Sequence, residues 1–285
     1  MTVSVAEREV GQGRVLQPRA LIVTIYGLYA REAGGWISVS SLIRLMSGLG
    51  VDEPAVRSSI SRLKRRGLLH SRRRGGVAGY ALSDRAREIL DEGDRRIFER
   101  PRATPADGWV LAVFSVPESE RQKRHTLRAK LTWLGFGTVS AGVWVAPGHL
   151  EAETRDVLER NGLAQYVDLF HGDYLGFGSE SAGVAKWWDL DGLERLYAEF
   201  VAAYSPVLAQ WRRRRSEDDG RAFADYVDAL TSWRRLPFLD PGLPPEMLPR
   251  RWSGVRAAEV FLRLRERLAA PAHRHAESVT GLSQG

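Results

Sequence analysis

The sequence predicts an α+β protein in which three consecutive domains lie between two short tails. The first third of the chain combines helical apolar spacing with two short strand patterns. The middle alternates strand-length apolar runs with amphipathic stretches, and the last third has helical spacing almost throughout. The predicted segments are a flexible tail at 1–17, domains at 18–100, 101–176 and 177–270, and a second flexible tail at 271–285.

The composition is that of a globular protein and excludes several other classes. Hydrophobic residues make up 44% of the chain and charged residues 27%, which argues against global disorder. The chain contains no cysteine, so disulfides and thiolate chemistry are excluded. Its apolar runs are shorter than the roughly 18–20 residues of a membrane span, and residues 1–17 lack the apolar core of a signal peptide. We therefore expect a soluble cytoplasmic protein with no membrane partner.

The N-terminal domain begins with three predicted helices. Residues 20–33 form an apolar first helix, and residues 36–38 form a short β-like segment after it. The second helix begins at Ser40 or Ser41, either of which can serve as its N-cap. Asp52 caps the third helix, in which apolar side chains at i, i+4 and i+7 form one buried face: Val56, Ile60 and Leu63.

Two strand patterns and a fourth helix complete this domain. The strands cover residues 68–73 and 78–82, and Gly75-Gly76 between them suits a tight hairpin turn. Ser83 opens a helix that extends to about residue 98. Three helices, a hairpin and a helix are the order of a winged helix-turn-helix domain. In such a domain the third helix enters the major groove of DNA, and the hairpin, or wing, contacts phosphates or the minor groove.

The positive charge of the chain is concentrated in this region. The net charge is +7, and eight of the 42 basic residues lie between Pro54 and Ser83, where there is no Asp or Glu. The remaining 34 basic residues are balanced by 35 acidic residues, so the rest of the chain has a net charge of −1. A run of like charges is often only a solvated surface. Here it coincides with the third helix and the wing, which indicates an anionic partner.

The charge and the element order together predict double-stranded DNA as that partner. The predicted DNA-binding residues lie on the third helix and the wing: Arg57, Ser58, Ser61, Arg62, Lys64, Arg65, Arg66, Arg72, Arg73 and Arg74. Arg57 and Arg62 can each make bidentate contacts with guanine or with phosphate, and the sequence leaves both open. The alternative to DNA binding is a helical protein-interaction module with an arginine-rich loop.

The central domain is predicted from a β-α-β-α-β order, which indicates a small ferredoxin-like α/β sandwich that serves as a scaffold or dimerisation domain. This order resembles the small ferredoxin-like proteins of the CRISPR adaptation complex, some of which are metal-dependent nucleases. In these proteins the first strand ends in Tyr-Asp-Ile, and its Asp ligates the metal. Ser115 stands at that place here, and a hydroxyl does not replace a carboxylate as a ligand for a hard cation. We therefore expect no metal site, and a metal-dependent nuclease is kept only as an alternative.

The C-terminal domain is predicted to be mainly helical and to provide effector or dimer contacts. Apolar side chains recur at helical spacing over 193–204, 223–233 and 257–268. A basic run at 212–215 precedes three acidic residues, and it is either a solvated helix end or an anion clamp for a ligand phosphate. The chain has no phosphate-binding loop, dinucleotide fingerprint or HExxH motif, so we expect a protein that is not an enzyme and has no cofactor.

Three segments of the chain together resemble the PaaX family of bacterial transcriptional repressors, which is named for the control of phenylacetate degradation. The segments are 18–69 (PRALIVTIYG to SRLKRRGLL), 109–147 (WVLAVFSVPESERQ to GVWVAP) and 240–261 (DPGLPPEMLPRRWSGVRAAEVF). Because all three occur in the same order, the resemblance extends from Pro18 to about Leu268.

The resemblance implies a nucleoid-associated homodimer that binds a palindromic operator. It also implies that a small-molecule effector releases the repressor from DNA. In the phenylacetate regulators this effector is an aryl-CoA thioester such as phenylacetyl-CoA. A member of the same family that regulates another pathway and responds to a different effector is the alternative. The residues of the effector pocket are not identified by the sequence.

Overall fold

The structure, a computed structural model, describes residues 17–31, 33–99, 101–214 and 218–281. Its described residues cluster into two compact units, and the three consecutive domains at 18–100, 101–176 and 177–270 stay a prediction from the sequence. The central unit contains Arg96–Ala198 and Arg235–Gly254, and the N-terminal unit contains 17–95, Glu199–Arg234 and 255–281. Residues of the predicted third domain therefore belong to both units. The predicted tail at 1–17 lies outside the described residues except for Gln17.

The N-terminal unit begins with the predicted order of helices and strands. The elements are α1 (Pro18–Ile25, followed by a π-helical turn at Tyr26–Ala30), β1 (Trp36–Ser38), α2 (Val39–Ser47), α3 (Glu53–Arg65), β2 (Leu69–Arg74), β3 (Val77–Leu82) and α4 (Asp84–Asp94). The three strands form an antiparallel sheet in the order β1-β3-β2. The N-cap of α2 is Ser38, whose Oγ accepts the Ser41 N–H at 3.0 Å. Ser40 and Ser41 lie inside the helix, so the prediction of one of them as the cap is wrong.

Long helices from the C-terminal third complete the N-terminal unit. They are α8 (Leu190–Arg213), α9 (Asp219–Trp233) and α11 (Gly254–Thr280), of which α8 and α11 begin at residues assigned to the central unit. α9 packs against α1, where the hydroxyls of Thr24 and Thr231 lie 2.8 Å apart in a buried site. Trp233 also stacks on Phe261 at a centroid distance of 4.8 Å. Such packing joins residues of the C-terminal third to those of α1 in one compact unit.

The predicted flexible tail from residue 271 is corrected by the structure, because α11 continues through Pro271 to Thr280. Proline removes a backbone donor and disfavours a helix interior, so the sequence indicates an end there. Tertiary contacts offset this cost. Ala272 and Ala276 are buried, and the Val279 carbonyl oxygen accepts hydrogen bonds from Ser41 Oγ at 3.1 Å and Arg44 Nη2 at 2.8 Å.

The central unit contains a ferredoxin-like sandwich with one more strand than the sequence predicts. Its elements are β4 (Trp109–Phe114), α5 (Arg121–Leu134), β5 (Gly137–Ser140), β6 (Val143–Pro147), α6 (Glu151–Arg160) and β7 (Val167–Gly172). The β-rich stretch at 135–146 forms two strands of a hairpin, which changes the predicted order to β-α-β-β-α-β. All strand pairs are antiparallel, and the sheet order is β5-β6-β4-β7.

Both faces of this sheet are covered by apolar packing. Val110, Ala112 and Trp144 pack with Leu127 of α5 and Val157 of α6 in one core. A second core covers the opposite face and is formed by Trp109, Val145, Val184, Leu190 and Leu243. The short helices α7 (Glu180–Trp187) and α10 (Leu236–Leu239) also belong to this unit. None of the described helices is long and apolar enough to cross a membrane.

Candidate functional site

The position of α3 follows from its cap and its apolar stripe. Asp52 has an extended backbone, and its Oδ1 accepts the Ala55 N–H at 2.8 Å, which satisfies one of the free donors at the start of the helix. Val56, Ile60 and Leu63 are at most 3% exposed, and the helix packs against α1 and α2. The opposite face of α3 is consequently directed to solvent.

All of the predicted site residues on this face are exposed: Arg57, Ser58, Ser61, Arg62, Lys64, Arg65 and Arg66. Their environments differ. Arg57 forms an ion pair with Glu53, in which Nη2 and Oε1 are 2.6 Å apart, and the Lys64 ammonium lies 5.7 Å from the centre of the Tyr80 ring. Within the described ranges, the side chains of Arg62, Arg65 and Arg66 form no hydrogen bond or ion pair.

The hairpin of β2 and β3 presents two arginines to solvent and retains the third. Arg72 and Arg73 are exposed, and Arg73 Nη1 donates to the Gly76 carbonyl oxygen at 3.0 Å. Arg74 is half-buried, its Nη2 donates to the Gly34 carbonyl oxygen at 3.0 Å, and its guanidinium lies 5.6 Å from the Trp36 ring centre. Arg74 therefore joins the base of the hairpin to the segment that precedes β1.

Glycines allow the tight geometry of this hairpin. Gly75 and Gly76 have φ values of 53° and 79° and connect the paired residues Arg74 and Val77, as a two-residue turn with positive φ at both positions requires. A Cβ on Gly79 would lie 2.4 Å from the Trp36 ring, so only glycine permits this close approach of β3 to the indole. The hairpin is thereby held close to β1.

Hydrogen bonds from two aromatic side chains also fix the hairpin to the rest of the unit. Trp36 Nε1 donates to the Arg72 carbonyl oxygen at 2.9 Å, and the Tyr26 hydroxyl donates to the Tyr80 carbonyl oxygen at 3.0 Å. Burial raises the pKa of Tyr26, so this hydroxyl stays protonated and remains a donor. The sequence patterns do not identify Trp36 and Tyr26 as supports of the site, because the partners of their polar atoms lie in distant strands.

We call the exposed face of α3 and the β2–β3 hairpin the basic surface. It carries the eight cations between Pro54 and Ser83 and no carboxylate of that segment, and α3 packs directly against β2. Unpaired guanidinium groups are strong donors to phosphate oxygens, and arginine can also contact guanine through two parallel hydrogen bonds. The surface has the chemistry of a site for a polyanion.

The central unit does not gather the residues of a metal-dependent nuclease. Ser115 is exposed, and its backbone N–H donates to the Tyr166 carbonyl oxygen at 3.1 Å. The nearby Glu118 pairs with Arg124 at 3.0 Å. In the part of the chain that the structure describes, no three His, Asp or Glu side chains lie close enough together to hold a metal ion.

A pocket of about 260 Å³ in the central unit is lined by α7, the start of α8 and residues 247–249. Asp189 and Asp191 contribute to its wall, and Asp189 Oδ1 also accepts the Gly192 N–H at 2.8 Å as the cap of α8. Two carboxylates disfavour the phosphates of a CoA thioester, and the volume is small for such a ligand. This pocket therefore does not fit the effector that the sequence resemblance implies.

The basic run at 212–215 is partly neutralised in the described residues. Arg214 pairs with Asp218 at 3.3 Å, whereas Asp219 pairs with Arg274 of α11, which lies outside the run, at 2.8 Å. The Arg214 guanidinium also lies 5.1 Å from the Trp211 ring centre. The two contacts of Arg214 favour a solvated helix end over an anion clamp. Arg215 itself lies outside the described residues.

Comparisons with known proteins match nearly the whole chain. Family models described as "PaaX-like protein", "PaaX protein central Cas2-like domain" and "PaaX-like protein C-terminal domain" match residues 17–86, 102–184 and 188–278. The chain is 28% identical over 260 residues to the "Transcriptional repressor PaaX" of Escherichia coli (strain K12), covering 89% of this chain and 81% of that relative. The "Uncharacterized protein Rv0674 from Mycobacterium tuberculosis" has the same fold, with a TM-score of 0.57, 21% identity, and coverage of 92% of this chain and 100% of that one.

Proposed function

Because the chain belongs to the PaaX family, we propose that it is a transcriptional repressor that binds double-stranded DNA through the basic surface. The relative from Escherichia coli is named as a transcriptional repressor. In this proposal the N-terminal part of the chain is a winged helix-turn-helix domain. α3 is its recognition helix in the major groove, and the β2–β3 hairpin is its wing on the DNA backbone.

The observation that carries this proposal is the set of free cations on the basic surface. Among the described residues, Arg62, Arg65, Arg66 and Arg72 have no hydrogen-bonding or ion-pair partner for their side chains. Exposed arginines elsewhere include both kinds, since Arg155 and Arg160 pair with Glu151 and Asp156 whereas Arg121 has no such partner among the described residues. The basic surface differs in its density of cations, because eight lie between Pro54 and Ser83 with no Asp or Glu among them. Like charges concentrated on one surface repel one another, and a polyanionic ligand offsets that repulsion.

The test measures the affinity of the full chain for the duplex that it enriches from a random-sequence pool. Arg65→Ala is expected to weaken binding to this duplex and to random duplexes on the order of tenfold at low salt, because one charge-assisted phosphate contact is lost. Arg121→Ala removes an exposed arginine of the central unit and is the matched control, with unchanged affinity. A chain that enriches no duplex and whose DNA affinity does not depend on salt would refute the proposal.

We further propose that the repressor is a homodimer that binds a palindromic operator. A two-fold axis would place two α3 helices in half-sites about 10 base pairs apart, or a multiple of that distance. The segment after the edge strand β7 supports this proposal, because Leu175 is 91% exposed and Phe177 fully exposed. Large apolar side chains that protrude together are typical of association surfaces.

The dimer proposal is tested by sedimentation equilibrium. The double variant Leu175→Asp/Phe177→Asp is expected to shift the protein from dimer to monomer, and Val139→Asp, which changes an exposed apolar residue on the opposite edge strand, is the control. A wild-type chain that sediments as a monomer at micromolar concentration contradicts the dimer. A dimer that survives the double variant contradicts this choice of surface.

The effector proposed for this repressor is an aryl-CoA thioester such as phenylacetyl-CoA, which would release it from an operator of aromatic-acid catabolism. The support is the family relationship, and the effector needs a higher affinity for the form that does not bind DNA. A gel-shift titration of the protein–operator complex with phenylacetyl-CoA and related acyl-CoAs tests this proposal. Release by another small molecule, with no response to any acyl-CoA, favours a family member that controls a different pathway.

A further inference from the structure

Two arginines of α3 occupy opposite flanks of its exposed face. Successive residues of a helix are rotated by about 100°, so Ser58 and Ser61 lie near the centre of the face that is opposite Val56 and Ile60. Arg57 lies on one side of these serines and Arg62 on the other. The short serine side chains allow the helix backbone to approach a ligand closely, which places both arginines within reach of it.

The two arginines have different neighbours. Arg62 has Ser58 one turn before it and Arg66 one turn after it, so its charge is unpaired. Arg57 has Glu53 one turn before it, and Glu53 Oε1 accepts from both Nε at 2.7 Å and Nη2 at 2.6 Å. Both partners are exposed, with 59% of the Arg57 side chain and 50% of the Glu53 side chain accessible.

The ion pair uses one edge of the Arg57 guanidinium and leaves another edge free. The group has five N–H donors in a plane, and the Nε and Nη2 side faces the carboxylate. The free end carries Nη1 and Nη2 donors side by side. This pair matches the two parallel acceptors of guanine, O6 and N7, in the major groove. The Glu53 carboxylate also weakens the electrostatic attraction between Arg57 and the DNA phosphates, and contacts with phosphates carry no sequence information.

We propose that Arg57 reads a guanine in the DNA site, and that Glu53 is the positioning residue that holds it for this contact. The inference rests on the proposed DNA-binding function and deepens it by assigning sequence recognition to one arginine. Arg62, with no carboxylate beside it, binds the phosphate backbone. Glu53 has a second effect, because its negative charge repels the DNA phosphates. Where no guanine faces Arg57, no base contact offsets this repulsion, so Glu53 weakens the binding of such DNA.

The experiment compares conservative variants of the full chain on the duplex that the wild-type chain enriches and on random duplexes. Arg57→Lys keeps the charge but loses the two parallel hydrogen bonds. It is expected to weaken binding to the enriched duplex on the order of tenfold, with random DNA bound within about twofold of wild type. Arg62→Lys is the matched control, and it is expected to preserve the ratio of the two affinities because a phosphate accepts either cation.

Two further measurements separate positioning from a structural role. Replacing single guanines of the enriched duplex by 7-deazaguanine removes N7. At one position this replacement should weaken binding by the wild-type chain but cause little further loss of affinity in the Arg57→Lys variant. Glu53→Gln should raise the affinity for random DNA and lower the ratio of enriched to random affinity, while its melting temperature stays close to that of wild type because Glu53 is exposed.

The outcomes distinguish this inference from the proposed function. If the wild-type chain enriches a duplex but Arg57→Lys preserves its affinity ratio, or Arg62→Lys lowers it instead, the assignment of Arg57 is wrong and DNA binding stands. If Glu53→Gln leaves both affinities unchanged, the positioning role of Glu53 is wrong. If the wild-type chain enriches no duplex, the proposed function itself fails.

Discussion

Replacement of the two exposed hairpin arginines gives a quantitative test of the wing. The DNA affinity of a protein falls with salt, and each neutralised phosphate contributes about 0.9 to the slope of log affinity against log salt concentration. Arg72 and Arg73 are both exposed, and the bond from Arg73 to the Gly76 carbonyl leaves its charge unneutralised. Arg72→Ala/Arg73→Ala should therefore reduce the slope by about 1.8. When salt is raised from 50 to 200 mM, the affinity of this variant for DNA should then fall by a factor roughly tenfold smaller than that of the wild-type protein.

Arg74 is expected to behave differently from its two neighbours. It is half-buried, bonded to the Gly34 carbonyl oxygen and placed over the Trp36 ring. Arg74→Ala should lower the free energy of unfolding by about 1 kcal/mol, because a hydrogen bond and a cation–π contact are lost. The salt slope should change by less than half of the contribution of one phosphate contact.

The assay is fluorescence anisotropy of a labelled duplex at several salt concentrations, with unfolding followed in parallel by circular dichroism. The variants differ in the number of exposed cations that they lose, so the slopes can be compared directly. An unchanged slope in the Arg72→Ala/Arg73→Ala variant would remove the hairpin from the interface. A slope change in Arg74→Ala as large as that in the double variant would refute its structural role.

Three further predictions concern the scaffold. Gly79→Ala should destabilise the chain by about 1–3 kcal/mol, because its Cβ would overlap the Trp36 ring. The control is Gly172→Ala, whose Cβ would have no atom within 4 Å and which should leave the stability unchanged. Equal denaturation midpoints for the two variants would contradict the close approach of Gly79 to Trp36. Truncation after residue 270 should lower the free energy of unfolding by about 2 kcal/mol or more. It removes the buried Ala272 and Ala276 and the Val279 carbonyl oxygen, which accepts hydrogen bonds from Ser41 and Arg44. A truncated chain that unfolds like wild type would support the prediction of a flexible tail. The hydrogen bond to Glu151 raises the pKa of His171, so this contact stabilises the chain at pH below about 6.5 and its contribution is lost as pH rises through the pKa of His171. Glu151→Gln should lower that pKa in an NMR titration, and an unshifted titration would exclude the contact.

Several local features of the fold are predicted correctly because their causes are local in the sequence. The α3 helix needs only a capping Asp52 and apolar residues at i, i+4 and i+7, and the β2–β3 hairpin needs two glycines between strand patterns. The second helix shows a limit of such reasoning. Ser38, Ser40 and Ser41 are all suitable N-caps by residue type, and only the backbone conformation identifies Ser38.

The candidate site is partly determined by the sequence in the same way. The location of the excess charge needs only a count of Arg, Lys, Asp and Glu, and it selects the segment that forms the basic surface. The sequence says less about the hydrogen-bonding and ion-pair partners of each arginine. The i, i+4 spacing of Glu53 and Arg57 could have indicated their ion pair, whereas the contacts of Arg74 with Gly34 and Trp36 depend on a segment about 40 residues away.

The sequence by itself determined the family, the order of helices and strands at the N-terminus, and the place of the charge, because each depends on residues that are neighbours in the chain. Only the tertiary structure decided that α9 and part of α11 belong to the same unit as α1, and that α11 continues past Pro271. The physical reason is burial. An apolar helix face can be read from its periodicity, but the surface that covers it is found only when distant segments pack together.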